Sequence, residues 1–337
     1  MPAFIRLIRA RPILALDRVF LALGRILVAL GRVLVAFGRV LVAFGRVLVA
    51  FGLVLACAQA VHAANPRGVG GAVVEGVQMP AWVERADGSR APLAPGMALS
   101  SGEQVRTGAN ARLLLRLSEG SKVKLGENGV LKIADLKPDE GGIFTATMSV
   151  LEGAFRFTTD ALMKNRRRLV NINVTTVTVG IRGTDLWGKS DRADRQIVCL
   201  IEGSIEVGAA GEAAVTMDQP RQFYRRDKGV TAPIGFVEPA QLAQWALETE
   251  IASGRGAARS GGRWKVTLVS ADTQEGALTV YDQARADGYA AEIRPVKDGD
   301  KHIYHVRIAN LPSKEEAQSL AAQLRGKMGA AEPKVSM

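Results

Sequence analysis

Between Met79 and Val207 apolar and polar positions alternate in short runs. In Lys122-Val123-Lys124-Leu125 every second residue is charged, and NINVTTVTV (171–179) keeps a similar beat. A period of two puts alternate side chains on opposite faces, as in a strand with one wet side. Asp87-Gly88 and Glu119-Gly120 interrupt the runs and suit tight hairpin connections. Helical periodicity is nearly absent. Many short strands at regular spacing predict a mainly β domain over 79–237, built as a sandwich, a barrel or a short β-solenoid.

The rhythm then changes. PAQLAQWALETEI (239–251) reads as an amphipathic helix within 238–252, with Pro239 at its start and Leu242, Trp245 and Leu247 near one face. Trp245 is expected to pack on the β domain. SGRGAARSGG (253–262) has no apolar pattern and reads as a flexible linker. Over 263–337 the order is strand (264–270), helix (273–288), strand (289–296), strand (302–311), helix (313–329) and a last short strand. Gly288 stands as a helix stop, and Ser313 sits three before Glu316 in capping-box spacing. This βαββαβ order predicts a small α+β, ferredoxin/RNP-like unit. Strand parity turns Trp264, Val266 and Leu268 toward the helices and Lys265, Thr267 and Val269 outward. Tyr304, Val306 and Ile308 likewise point in, and His305 and Arg307 point out. Ser270 closes the first strand.

The N-terminal stretch follows neither pattern. Arg18, Arg25, Arg32, Arg39 and Arg46 stand seven apart in an apolar segment, and Leu53 takes the next position in phase. Two arginines in each window of about 19 residues cost roughly 2.5–3.5 kcal/mol apiece at a bilayer centre, which argues against a span before Arg46. Gly in every heptad, among otherwise apolar positions, argues against a coiled coil. From Val47 to Val61 no charge occurs, and Val61-His62-Ala63 offers a small-x-small cleavage site. Residues 1–63 are therefore read as a signal peptide with seven-residue repeats, cleaved after Ala63, with 64–78 as the mature N-terminal segment. Ala58-Gln59-Ala60 is a second cleavage site, and Val54-Leu55-Ala56-Cys57 resembles a lipobox. A start codon further down is also compatible with this leader. The expected address is the periplasm, with a membrane attachment only if the leader is retained or Cys57 is lipidated.

Charge changes meaning once the leader is set aside. It holds eight Arg and one Asp, a charge of +7, which leaves +4 of the formal +11 for the rest. The basic balance thus belongs mostly to the leader and is no argument for nucleic-acid binding. Beyond the leader Cys199 is alone, so no internal disulfide is expected, and its place in IVCLIEG fits a buried strand residue. His302 and His305 lie three apart on one strand and face opposite sides, so they do not chelate a metal together. No Cys/His/Asp set points to catalysis, and no metal or cofactor is expected. The run Lys164-Asn165-Arg166-Arg167-Arg168 reads as a solvated loop or as a contact for an anionic envelope polymer.

Two stretches resemble known families. ERADGSRAPLAPGMALSSGEQVRTGANARLLLRLSEGSKVKLGENG, VLEGAFRF and VTVGIRGTDLWG are similar to the periplasmic FecR domain. Gly180, Arg182, Gly183 and Thr184 match its VxTPxGxRGTxFxV core. The glycines there permit a bulge or positive φ beside a strand, and Arg182 is placed to pair with Glu202 or Asp185 or to meet an anionic ligand. FecR regulators carry a cytoplasmic anti-sigma segment before a membrane helix, where this chain has only the arginine repeats. IYHVRIANLPSKEEAQSLAAQLRGKMG resembles the SPOR domain. Thr267 stands where that family usually has Gln, Val269 where it has Gly, Ala271 where it has Phe, and Ala309-Asn310 where it has Gly-Pro.

The SPOR resemblance implies binding to peptidoglycan glycan strands denuded of stem peptides. Lys265, Thr267, Ser270, His305 and Arg307 are the candidate glycan-binding residues, being polar and cationic donors suited to sugar hydroxyls, N-acetyl carbonyls and the lactyl carboxylate. Together the resemblances imply a non-catalytic cell-envelope protein, with the FecR-like domain as scaffold or sensor and an envelope protein as a further partner. The alternative is a transmembrane signalling regulator acting through an uncleaved N-terminal segment.

Overall fold

The computed structural model describes residues 71–137, 143–160, 167–181, 183–192, 194–299 and 301–337. The leader, its cleavage and lipidation sites, Arg182 and Lys164–Arg166 of the basic run lie outside the described residues. Those that are described fall in one contact unit, Arg67–Met337.

The alternation seen in the sequence is realised as sheet. Among the described residues, nineteen strands between Ala72 and Arg259 form one hydrogen-bonded network. Its spine is the strand Ile143–Thr158. In its first half Phe144, Ala146, Met148 and Val150 enter the main core; in its second half Phe155 and Phe157 do, while Ala154 is buried in a separate cluster on the opposite face. The inward phase therefore changes from even to odd positions. Gly153 makes the change: its φ is +89°, and a Cβ there would lie 2.6 Å from Gly129 Cα. Only glycine accepts that backbone at that distance. Ahead of the pivot the spine pairs with Val130–Lys137 and runs parallel to Arg167–Val174. Beyond it the spine pairs with Lys122–Leu125 and Asp185–Asp191. One long strand thus joins two groups of partners around a shared core.

Both expected edges of this domain move. Ala72–Gln78, placed ahead of the domain by the sequence, is a core strand with Val74 and Val77 fully buried. It pairs antiparallel with Arg112–Leu117 on one side. On the other side it pairs with Ala257–Arg259, inside the segment expected to be a flexible linker. Ala257 and Ala258 are buried. The linker composition misled because a strand of small residues at a sheet edge has no large apolar side chain to announce it.

The helix Pro239–Leu247 lies on the β domain. Trp245 stacks on Trp187 with centroids 4.7 Å apart and planes 10° apart, and Phe223 meets Trp245 edge-on at 6.4 Å. Leu242 joins the same cluster with Ala154, Cys199 and Val237. Leu247 does not share that face: it is 68% exposed.

In the C-terminal module the strand order is Ala291–Asp298, Lys301–Leu311, Trp264–Ala271, Lys334–Ser336, all antiparallel. The helices Gln274–Ala286 and Lys314–Leu324 supply the connections. This is the βαββαβ arrangement expected from the sequence. Thr273 and Ser313 cap the two helices by accepting from the N–H of Gly276 and Glu316. The first helix ends in a Schellman motif: Gly288 has φ +84°, and the Tyr289 N–H reaches Ala284 O at 2.9 Å.

The module is bound to the β domain through these helix ends. Trp82 Nε1 donates to Ala286 O at 3.1 Å, satisfying one of the last helix carbonyls, while the Ala81 N–H donates to Gly288 O at 3.1 Å. Arg90 covers the Trp82 ring at 4.2 Å. At the second helix the buried Glu316 carboxylate accepts from the N–H of Gly254 at 2.7 Å, Gly256 at 2.6 Å and Ala257 at 2.9 Å. The capping box of the sequence is thus only half made. Ser313 caps as expected, and the glutamate turns away to hold the incoming strand.

Candidate functional site

The five candidate residues lie on one side of the C-terminal sheet. Thr267 stands opposite Arg307 on one neighbouring strand and Lys334 on the other, and Arg307 stands opposite Glu292. Register therefore lays Glu292, Arg307, Thr267 and Lys334 in a row across four strands. A second row holds Arg294, His305 and Ser270. Lys265 lies further along, opposite Ser336. Val266, Leu268, Val306 and Ile308 are buried between these rows and the helices, so the assigned faces of both central strands hold for most positions.

Val269 is the exception. A register shift between Thr267 and Val269 places Val269 opposite the buried Val306, and its side chain packs on the core rather than facing out. The same shift sends Ser270 to the outer face, where its Oγ lies 2.7 Å from His305 Nδ1. Simple alternation does not place Ser270 there; the bulge does, because one extra residue inverts the phase of all that follow. A second irregularity between Trp264 and Val266 coincides with Asn310 at φ +66° on the partner strand.

The face is rich in donors and carries one carboxylate, Glu292, in its rows. Arg307 Nε donates to Glu292 Oε1 at 2.7 Å, and Arg294 Nη2 reaches Glu292 Oε2 at 3.4 Å. Lys265 and Lys334 make no ion pair among the described residues. With Nδ1 engaged by Ser270, His305 has its Nε2 left for a ligand. Glu292, Arg294 and Lys334 were missed in the sequence because register, not local pattern, brings them beside the other five.

The glycine-rich motif of the β domain builds a corner. Gly183 has φ +73°, and Gly203 opposite has φ +95° with no room for a Cβ, which would lie 2.4 Å from Gly183 O. Thr184 is buried, donates from Oγ1 to Ser204 O at 3.1 Å and through its N–H to Thr159 Oγ1 at 3.0 Å. A register shift follows between Asp185 and Leu186. Gly180 has ordinary φ and space around it, so its backbone makes no demand for glycine. Asp185, considered as a partner for Arg182, is held by Arg156 in a two-pronged ion pair at 2.9 and 2.7 Å. That bond, outweighing partial burial, pushes the Arg156 guanidinium's pKa further up. Arg156 and Lys124 both also bind Glu250. Cys199 is fully buried, and burial pushes its thiol up to about 12, far from a reactive thiolate. Among the described residues no three His, Cys, Asp or Glu side chains cluster as metal ligands, and no helix is long and apolar enough to cross a membrane.

Comparison with known families agrees with these two regions. Residues 103–206 match the family described as FecR protein, and residues 260–334 match the SPOR domain. The chain therefore carries a FecR domain followed by a C-terminal SPOR domain. Both are binding or regulatory domain families rather than catalytic ones, and SPOR domains bind peptidoglycan. No curated protein matches the chain. Among solved structures, two crystal structures of a protein from Parabacteroides distasonis ATCC 8503, titled a putative anti-sigma factor, align at 15% and 14% identity. Each covers 66% of this chain, with 90% and 89% of the other, at TM-score 0.35. At that score the likeness carries no argument.

Proposed function

We propose that this is a non-catalytic, exported cell-envelope protein that holds peptidoglycan glycan strands on the open sheet face of its SPOR domain. The FecR domain serves as scaffold or sensor, with an envelope protein as its partner. The observation that carries the reading is the pair of rows on that face. Thr267, Arg307 and Lys334 stand in register, with Ser270–His305 beside them and Lys265 beyond. These side chains offer donors to hydroxyls and N-acetyl carbonyls and positive charge to the lactyl carboxylate. The β domain is bonded at the helix ends of the module, which supports an open sheet face. No cofactor is needed for such binding, and a periplasmic site is where the wall would be met.

The test is retention of the whole protein on purified sacculi with and without amidase treatment. Amidase-treated sacculi, richer in denuded strands, should retain more. A Thr267→Ala/Arg307→Ala double variant should be retained less. Equal retention of that variant removes the sheet face from the reading. The FecR match also favours a second role, in transmembrane signalling, and N-terminal sequencing separates the two. A chain beginning at Ala64 has lost the segment through which it would signal.

A further inference from the structure

We propose that the cleft between the FecR and SPOR domains is a second ligand site that takes a carboxylate-bearing fragment of the cell wall. The proposal rests on the wall-binding reading above only for the source of the ligand. The cleft has a volume of about 590 Å³, within the roughly 300–1,000 Å³ typical of small-molecule sites. Its wall brings together three cations from separate parts of the chain: Arg112 on a β-domain strand, Arg255 before the edge strand and Lys327 after the last helix.

The carboxylate on that wall, Glu250, is already committed to Lys124 and Arg156. Arg112 has Glu127 only at 3.9 Å, otherwise donates to the carbonyl of its neighbour Ala111, and leaves its buried Nε without a partner. Arg255 and Lys327 form no ion pair among the described residues. A concave wall with two unpaired cations and a third only loosely paired focuses positive potential on whatever enters, and guanidinium forks match carboxylates. The exposed side chain of Leu247 and the half-buried Tyr289 add an apolar edge. A carboxylate on a carbon-rich body fits this lining. In the wall it has two sources, the stem peptide and the lactyl group of muramic acid.

Isothermal titration of the whole protein at low salt, with free stem tetrapeptide in one arm and peptide-free N-acetylglucosaminyl-N-acetylmuramic acid in the other, tests the site. At least one fragment should bind, more weakly as salt is added. Reversing two cleft charges, Arg255→Glu/Lys327→Glu, should weaken that binding about tenfold or more. Both side chains are exposed, so the fold should tolerate the change, which an unchanged melting temperature would show. No heat from either fragment at millimolar concentration overturns the proposal, as does undiminished binding by the double variant. Sacculus retention is read separately. Fragment binding without sacculus retention keeps the cleft and discards the sheet face, and the opposite result discards the cleft.

Discussion

The Glu316 carboxylate accepts a hydrogen bond from the Gly256 N–H at 2.6 Å, across 60 residues of chain. It is one of three backbone bonds that this buried side chain takes from 254–257. Glu316→Ala would leave those N–H groups unsatisfied, at about 1–3 kcal/mol for each that water does not reach. We expect a loss of about 2–4 kcal/mol in denaturant unfolding, with faster amide exchange at Gly256 and Ala257. Slow exchange at those amides in the variant would show that the strand pairing with Gly76–Gln78 suffices.

Gly288 carries two constraints at once. Its φ is +84°, and a Cβ there would lie 2.6 Å from the Trp82 ring. Gly288→Val should cost about 2–3 kcal/mol through left-handed strain and displacement of the indole. Displacing the indole also breaks the bond from Trp82 to Ala286 O, so Trp82 fluorescence should shift to the red. A shift without destabilisation would mean that the helix end finds another cap.

Glu292 neutralises Arg307 on the outer face of the SPOR sheet. If that face holds an anionic or hydroxyl-rich glycan, Glu292→Ala frees the guanidinium and should raise sacculus retention severalfold. Arg307→Ala should lower it. The pair of opposite effects is the signature, since a purely structural ion pair would lose function with either substitution.

Glu119 is buried, and burial pushes its carboxyl pKa up, with Ser121 and Arg168 opposing. A carboxyl whose folded pKa exceeds its unfolded value, about 4.3, favours the fold below that value and loses this advantage as pH rises through the folded pKa. Glu119→Gln should therefore stabilise the protein at neutral and alkaline pH, with the gain shrinking on acidification toward pH 4. A gain independent of pH would point to packing instead.

The alternation over 79–207 and the helix signals after 263 were enough to predict β sheet followed by βαββαβ. Thr273, Ser313 and Gly288 do locally what their side chains or lack of one dictate. The inward faces of Trp264–Ala271 and Lys301–Leu311 were legible wherever the period of two ran unbroken, and failed at Val269, where a bulge inverts the phase. The flexible reading of 253–262 failed for another reason. Ala257–Arg259 becomes a strand because Ala72–Gln78 offers an unpaired edge and Glu316 offers a carboxylate, and neither lies nearby in sequence.

What the sequence alone determined, then, were the properties carried by neighbouring residues: element type, helix caps, and resemblance to two families. Which side chains stand together was decided by tertiary structure. Glu292 beside Arg307, Trp187 under Trp245 and three cations around one cleft depend on strand register and domain contact. Those arise from burying a shared core, and pairings between distant residues leave no periodic trace along the chain.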